Sequence, residues 1–151
     1  MALQVAQLDP TPDQMTAIRD IATEGYNTWK AGATVEHHTK ATERMNRMHG
    51  NPEAGQQEIA RITADFQAAD ADGDGRLNLA EYKVYMEKQM ENARELGTYV
   101  EPAAGHWDRE YALYNQIVGG EEGFTFGEYL ALVGRTLAVV RELKAAEEAS
   151  Q

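Results

Sequence analysis

The sequence contains no cysteine, which excludes thiolate catalysis, sulfur-based zinc sites and disulfide frameworks. It also contains no run of basic residues, and 25 Asp and Glu against 14 Lys and Arg give a formal charge of −11. A negatively charged surface repels phosphate backbones and anionic lipid headgroups. We therefore expect no nucleic-acid partner and no polybasic membrane contact. Cations and basic peptides are the partners that this charge favours.

Long apolar segments are absent as well. The longest apolar run, near residues 129–133, is far shorter than a membrane span. The first ten residues have neither the basic region nor the apolar region of a secretory signal. These features predict a cytoplasmic protein with no direct membrane insertion. A chain of 151 residues can form a core by hydrophobic burial alone.

Helix signals recur along the chain, whereas strand alternation is almost absent. Thr11, Pro12 and Gln14 form a typical helix start, followed by apolar residues at helical spacing. Glycine- or proline-containing breaks separate further segments of the same kind. We expect six helices: about 12–30, about 35–49, from 52 to 69, from the end of loop 70–81 to about 96, around 107–114, and from near 125 to about 143.

Apolar residues at intervals of three and four positions predict the inward faces of these helices. For the third helix we expect Ile59, Ile62, Phe66 and Ala69 to face the core. For the sixth helix the expected inward residues are Tyr129, Leu132, Val133, Leu137 and Val140.

The loop 70–81 carries the most specific pattern in the chain. It reads Asp-Ala-Asp-Gly-Asp-Gly-Arg-Leu-Asn-Leu-Ala-Glu, with carboxylates at alternate residues. A hard divalent cation takes six to eight oxygens at about 2.3–2.6 Å, so a chain that wraps around it presents oxygens at this spacing. Gly75 permits the turn with positive φ that the wrapping requires. The alternative, an acidic surface turn, does not account for the complete pattern and its apolar flanks. The loop therefore predicts a Ca²⁺ site.

Each expected metal ligand supplies one or two oxygens. Asp70, Asp72 and Asp74 offer carboxylates, and Glu81 offers two oxygens from the start of the next helix. The remaining two ligands are the backbone carbonyl of Arg76 and the side chain of Asn78, which binds directly or through water.

This loop and its flanking helices resemble the EF-hand family of calcium-binding proteins, of the calmodulin, parvalbumin or sarcoplasmic calcium-binding type. The resemblance implies an all-α fold of paired helix–loop–helix units, with a minimal two-stranded ribbon between paired loops. It also implies that Leu77 points into the core while its backbone pairs with a sister loop. We expect a paired domain over residues 51–151. The N-terminal segment, residues 1–50, resembles a further hand whose loop has no acidic ligands.

The loop 115–128 is the expected sister loop. Phe124 and Glu128 repeat the spacing of Leu77 and Glu81, and Tyr114 and Tyr111 precede Asn115 as apolar residues precede Asp70. In this register the loop has fourteen residues and few side-chain oxygens. Two interpretations stay open: it binds calcium through backbone carbonyls with Glu128, or it only pairs with the first loop.

Two other groups of residues have a less specific meaning. His37 and His38 are adjacent and point about 100° apart on a helix, which favours a solvated pair over a transition-metal site. The methionines of the second and fourth helices either line a target groove or fill the core. No phosphate-binding loop, nucleophile elbow or HExxH motif is present, so we expect no enzymatic activity.

The predicted function is therefore that of a calcium-dependent signalling module with one full site, which acts on a protein or peptide target. The alternatives are a cytosolic calcium buffer and a structural adaptor whose hands mostly do not bind. One full site in 151 residues is a low capacity for a buffer.

Overall fold

A computed structural model describes residues 6–119 and 122–150. Its elements confirm the expected all-α class, with six helices and a minimal two-stranded ribbon in the described part of the chain. In chain order they are α1 (Pro12–Gly32), α2 (Val35–Gly50), α3 (Pro52–Ala69), β1 (Arg76–Leu77), α4 (Leu79–Leu96), α5 (His106–Ile117), β2 (Phe124–Thr125) and α6 (Phe126–Ala149).

Local side-chain bonds determine where the helices begin. The hydroxyl of Thr11 accepts a hydrogen bond from the amide of Gln14, and the Gln14 side chain in turn accepts one from the Thr11 amide, which satisfies amides that the first turn leaves unpaired. Asn51 accepts from the amides of Glu53 and Ala54 at the start of α3. The cap at Thr11 and the helix starts agree closely with the sequence prediction, whereas α6 continues to Ala149, beyond its expected end near 143.

The ribbon joins the two loops of the C-terminal half. β1 and β2 are antiparallel, with Arg76 opposite Thr125 and Leu77 opposite Phe124. The side chains of Leu77 and Phe124 are fully buried, which confirms the expected inward position of Leu77. The two loops are thus fastened to each other and to the core beneath them.

An aromatic core lies under this ribbon. Around Phe124 pack the rings of Tyr82, Tyr111, Tyr114 and Tyr129, with centroids 5.3 to 6.1 Å from it. The tyrosine hydroxyls find partners within the protein: that of Tyr111 donates to the carbonyl of Leu77, and that of Tyr114 shares a bond with Thr136. Burial of Tyr82, Tyr114 and Tyr129 raises the pKa of each phenol well above its usual value, so these three hydroxyls keep their protons at neutral pH.

The N-terminal helices differ in how firmly they are held. α1 packs against α5 and α6, and Ile18 is fully buried in the aromatic core. None of the 16 residues of α2, which lies wholly within the described range, is buried. Val35 at its start is 84% exposed, so α2 lies on the outside of the other helices.

Two residues predicted to face the core are exposed. Leu137 is 47% exposed because the later turns of α6 extend past the aromatic core and pack on α1, where Val139 is the buried residue instead. Ile59 is 42% exposed because the first half of α3 has the unburied α2 as its neighbour. Helical spacing identified each apolar face, but the neighbour that packs against it decides how much of it is covered.

No helix in the described ranges combines the length and the apolar character that crossing a membrane would need.

A buried histidine links α1 to α5. His106 is only 5% exposed, its Nδ1 lies 2.9 Å from Glu24 Oε1, and its Nε2 lies 3.5 Å from Glu110 Oε2. Glu110 is itself buried and accepts a hydrogen bond from the hydroxyl of Tyr82 in α4. Burial alone would lower the pKa of His106, but the bonds and charges of Glu110 and Glu24 outweigh it and raise the pKa. His106, between two carboxylates, therefore connects α1, α4 and α5.

This contact predicts a pH dependence of stability. The folded-state pKa of His106 is raised above its unfolded value of about 6.5, so its contribution is complete below that pH and is lost as pH rises through the folded pKa. Relative to His106→Gln, the wild type should lose unfolding free energy as the pH rises from about 6.5 through the folded-state pKa of His106. Urea unfolding at several pH values measures this. The exposed-residue control His49→Gln should parallel the wild type, and a His106→Gln profile parallel to the wild type would contradict the assignment.

Gly123 predicts a steric limit at the ribbon. A Cβ at this position would lie 2.6 Å from the carbonyl oxygen of Leu77, and the residue has a φ of +99°. Gly123→Ala should therefore destabilise the fold by about 2 kcal/mol or more, measured by denaturant unfolding. Gly119→Ala is the matched control, because Gly119 has a φ of +119° and a Cβ there would meet no described residue beyond its chain neighbours within 4 Å. Equal losses in the two variants would mean that backbone strain alone, and not contact with Leu77, limits the position.

Candidate metal centre

The loop 70–81 connects the end of α3 to the start of α4. Asp70 is the C-terminal cap of α3, and Asn78 is the N-terminal cap of α4. Glu81 lies in the first turn of α4, where its amide donates to Asn78 Oδ1 at 2.9 Å and its Oε1 accepts from the Asn78 amide at 3.0 Å. The reciprocal cap positions the Glu81 carboxylate at the mouth of the loop.

Four carboxylates converge in this loop. One oxygen each from Asp70, Asp72, Asp74 and Glu81 lies within 4.8 Å of all the others. Within residues 6–119 and 122–150, no other group of three or more acidic, histidine or cysteine side chains is clustered in this way. The carboxylates predicted from alternate positions thus lie together, and the last of them, Glu81, is 7% exposed.

Backbone amides shape the loop around these carboxylates. The amide of Gly75 donates to Asp70 Oδ2 at 2.8 Å, that of Asp74 to Asp72 Oδ1 at 3.1 Å, and that of Arg76 to Asp74 Oδ1 at 2.9 Å. Gly75 has a φ of +80°, the left-handed conformation in which a side chain is strained. The glycine expected at the turn is therefore required there by the backbone.

One oxygen of the cluster lacks a partner. Asp70 Oδ1 is buried and has no hydrogen-bond donor in the part of the chain that the structure describes. A buried carboxylate oxygen without a donor is costly, because it has lost water and gained nothing in exchange. A cation bound among the four carboxylates would satisfy this oxygen. The donor set is made of hard oxygens, which suits a hard divalent cation rather than a soft one.

The charges of the loop act on one another. The amide of Asp74 lowers the pKa of Asp72, but partial desolvation and the neighbouring carboxyl groups of Asp74 and Asp70 outweigh it, so the pKa of Asp72 is raised. The pKa of Asp74 is lowered, chiefly because it accepts the bond from the Arg76 amide. Opposite pKa shifts in two neighbouring carboxyl groups are typical of acids close enough for the charge on one to disfavour ionisation of the other.

Arg76 and Asn78, the other two predicted ligands, have additional contacts. The Oδ1 atom of Asn78 accepts the capping bond from Glu81, so this oxygen serves the start of α4. The side chain of Arg76 leaves the loop and reaches the carbonyl oxygen of Gly123 at 3.2 Å. The carboxylate cluster therefore consists of four of the six predicted residues.

The second loop contains no comparable cluster among its described residues. Gly120 and Glu121 of the loop 115–128 lie outside the described residues. Of the others, Asn115 Oδ1 accepts from the Gly123 amide at 3.0 Å, and Glu128 Oε1 accepts from the Thr125 amide at 2.8 Å. These polar side chains close the loop and cap α6.

The buried group formed by His106, Glu24 and Glu110 was not predicted from the sequence. His106 and Glu110 are four residues apart on α5, a spacing that can signal an interacting pair. Glu24 is 82 residues away from His106 in sequence, and no pattern of neighbouring residues predicts that contact.

Comparison with known proteins identifies no relative. No family model matches the chain, and no match occurs among curated proteins or solved structures. The interpretation of this centre therefore depends on the geometry of the loop 70–81 and on its residue pattern.

Proposed function

We propose that this chain is a calcium-binding protein of EF-hand type, with one full site in the loop 70–81. The observation that carries the proposal is the buried Oδ1 of Asp70, which has no partner among the described residues and lies within a cluster of four carboxylates. Four negative charges held within a few ångströms repel one another, and a divalent cation removes that repulsion. The function is one of binding rather than catalysis, in a cytoplasmic setting.

Asp70, Asp72, Asp74 and Glu81 would hold the ion, with the Arg76 carbonyl and the Asn78 side chain completing the shell. A flexible shell of many oxygens suits Ca²⁺, whereas Mg²⁺ demands tight octahedral geometry and gives up its water reluctantly. Bound calcium would supply two positive charges, which offset part of the negative charge of the four carboxylates.

A signalling role follows from where the ligands are attached. Asp70 caps α3, while Glu81 belongs to α4, so an ion bound by both ties the ends of two helices. Tyr82 and Tyr85, just beyond Glu81, are buried in the aromatic core. Any change in the angle of α4 would therefore alter core packing and expose apolar surface to a protein or peptide partner.

Glu81→Gln should remove most calcium affinity, because it neutralises the buried carboxylate that connects the loop to α4. Loss of one charged ligand predicts a reduction of about 10- to 100-fold. Isothermal titration calorimetry should give one site per wild-type chain and this weakened binding in the variant. Saturating calcium should also raise the wild-type melting midpoint over that in chelator by about 5–10 °C.

Glu95→Gln is the control, since Glu95 is an exposed residue of the same helix and should bind calcium as the wild type does. Unchanged affinity in Glu81→Gln, or equal melting midpoints in chelator and calcium, would refute the site. Two wild-type sites of similar affinity would show that the loop 115–128 also binds.

The signalling role predicts a calcium-dependent apolar surface. Fluorescence of a hydrophobic dye such as anilinonaphthalene sulfonate should rise when calcium is added to the wild type, and the rise should be absent in Glu81→Gln. Magnesium should produce a smaller rise. Calcium binding without any change in dye fluorescence would contradict the signalling role and favour a buffer or a structural site.

A further inference from the structure

The side chain of Arg76 crosses from the first loop to the second. Arg76 lies in β1 opposite Thr125, and its Nη1 donates to the carbonyl oxygen of Gly123 at 3.2 Å. The same nitrogen lies 3.7 Å from Glu128 Oε1. A single guanidinium therefore contacts both a carbonyl and a carboxylate of the sister loop.

Glu128 occupies the place in its loop that Glu81 occupies in the first. Each is the third residue of its helix and forms a reciprocal cap with the residue before that helix, Thr125 or Asn78. The surroundings of the two carboxylates differ. Glu81 faces three aspartates, whereas Glu128 faces Arg76.

The Glu128 carboxylate is largely removed from water, with its side chain 18% exposed. Its Oε1 accepts a hydrogen bond from the Thr125 amide at 2.8 Å, and Arg76 supplies a positive charge 3.7 Å away. A carboxylate removed from water without compensation destabilises the folded state. In a loop that bound an ion, the ion would supply that charge. Here the partner is covalently part of the chain and is present whatever the metal concentration.

The backbone keeps this partner in place. A Cβ on Gly123 would lie 3.2 Å from Arg76 Cβ, so the absence of a side chain lets the two loops approach closely. The amide of Arg76 donates to Asp74 Oδ1, a carboxylate of the acidic cluster. Arg76 is thus connected to both loops, through its backbone on one side and its guanidinium on the other.

We infer that Arg76 is a positioning residue that serves as the resident cation of the second loop, holding Gly123 and Glu128 where a second metal ion would otherwise be needed. The inference extends the proposed function, since it states how a ligand-poor loop stays paired with the calcium loop. The presence of Arg76 beside Glu128 would explain why only one of the two paired loops is proposed to bind a metal ion.

A double-mutant cycle in chelator tests this coupling. The variants are Arg76→Gln, Glu128→Gln and the combination, each followed by its thermal melting midpoint. Glutamine at position 128 retains an oxygen for the capping bond with Thr125, so the substitution removes the charge alone. Arg76→Gln should lower the midpoint by about 2–4 °C. Adding Glu128→Gln should cause no further loss, because the carboxylate that lacks a partner is then gone.

Two further measurements separate charge from packing. Arg76→Lys should recover at least half of the lost midpoint, because it restores a positive charge. The difference between wild type and Arg76→Gln should also shrink in about 1 M salt, which screens a partly exposed ion pair. Arg47→Gln, at an exposed arginine of α2, is the control and should melt as the wild type does.

Additive losses in the double variant, or a salt-independent loss that lysine fails to restore, would overturn the inference. Because every sample contains chelator, these results do not depend on whether the loop 70–81 binds calcium. Failure of the proposed function would appear instead in the calcium titration of Glu81→Gln, so the two outcomes are distinguishable.

Discussion

The pairing of two short strands is the constraint on which the rest of the structure depends. Leu77 and Phe124 face each other across the ribbon, and both are fully buried. This pairing places one loop beside the other and anchors both on the aromatic rings of α4, α5 and α6. Without it, the acidic loop would be a surface turn between two helices. With it, the Glu81 carboxylate of that loop is buried, and the next residue, Tyr82, belongs to the aromatic core.

The partners of the partly or fully buried carboxylates differ between three parts of the molecule. In the loop 70–81, four carboxylates are gathered, and the side chain of Arg76 extends away to the carbonyl oxygen of Gly123. In the loop 115–128, Glu128 is paired with Arg76, and between α1 and α5 the carboxylates of Glu24 and Glu110 flank His106. The last two arrangements are complete within the chain. Only the first leaves a buried carboxylate oxygen without a partner among the described residues, and this difference is why we propose a metal ion there.

Several features of the structure were predictable from residues that are close together in sequence. The helix cap at Thr11 and the carboxylates of the loop 70–81 depend on residues close together in sequence, and the structure agrees with both. The inward position of Leu77 was implied by the resemblance to EF-hand loops, and Leu77 is indeed fully buried. The exposure of Leu137 and Ile59 was not predictable, because it depends on which helix lies opposite. The contact of His106 with Glu24 and that of Arg76 with Glu128 join residues distant in sequence. The spacing of apolar residues within one helix does not indicate which distant residue will lie against it.

The exposed position of α2 has a consequence for the dynamics of the molecule. A helix that buries none of its residues gains little free energy from packing, so its stability comes mainly from its own caps and backbone bonds. Such a segment opens locally at a far lower free energy than the cooperative unit formed by the core helices. We therefore expect amide hydrogens of α2 to exchange with solvent through local opening, and those of α4 around Tyr82 and Tyr85, which are buried, to exchange only when the core unfolds.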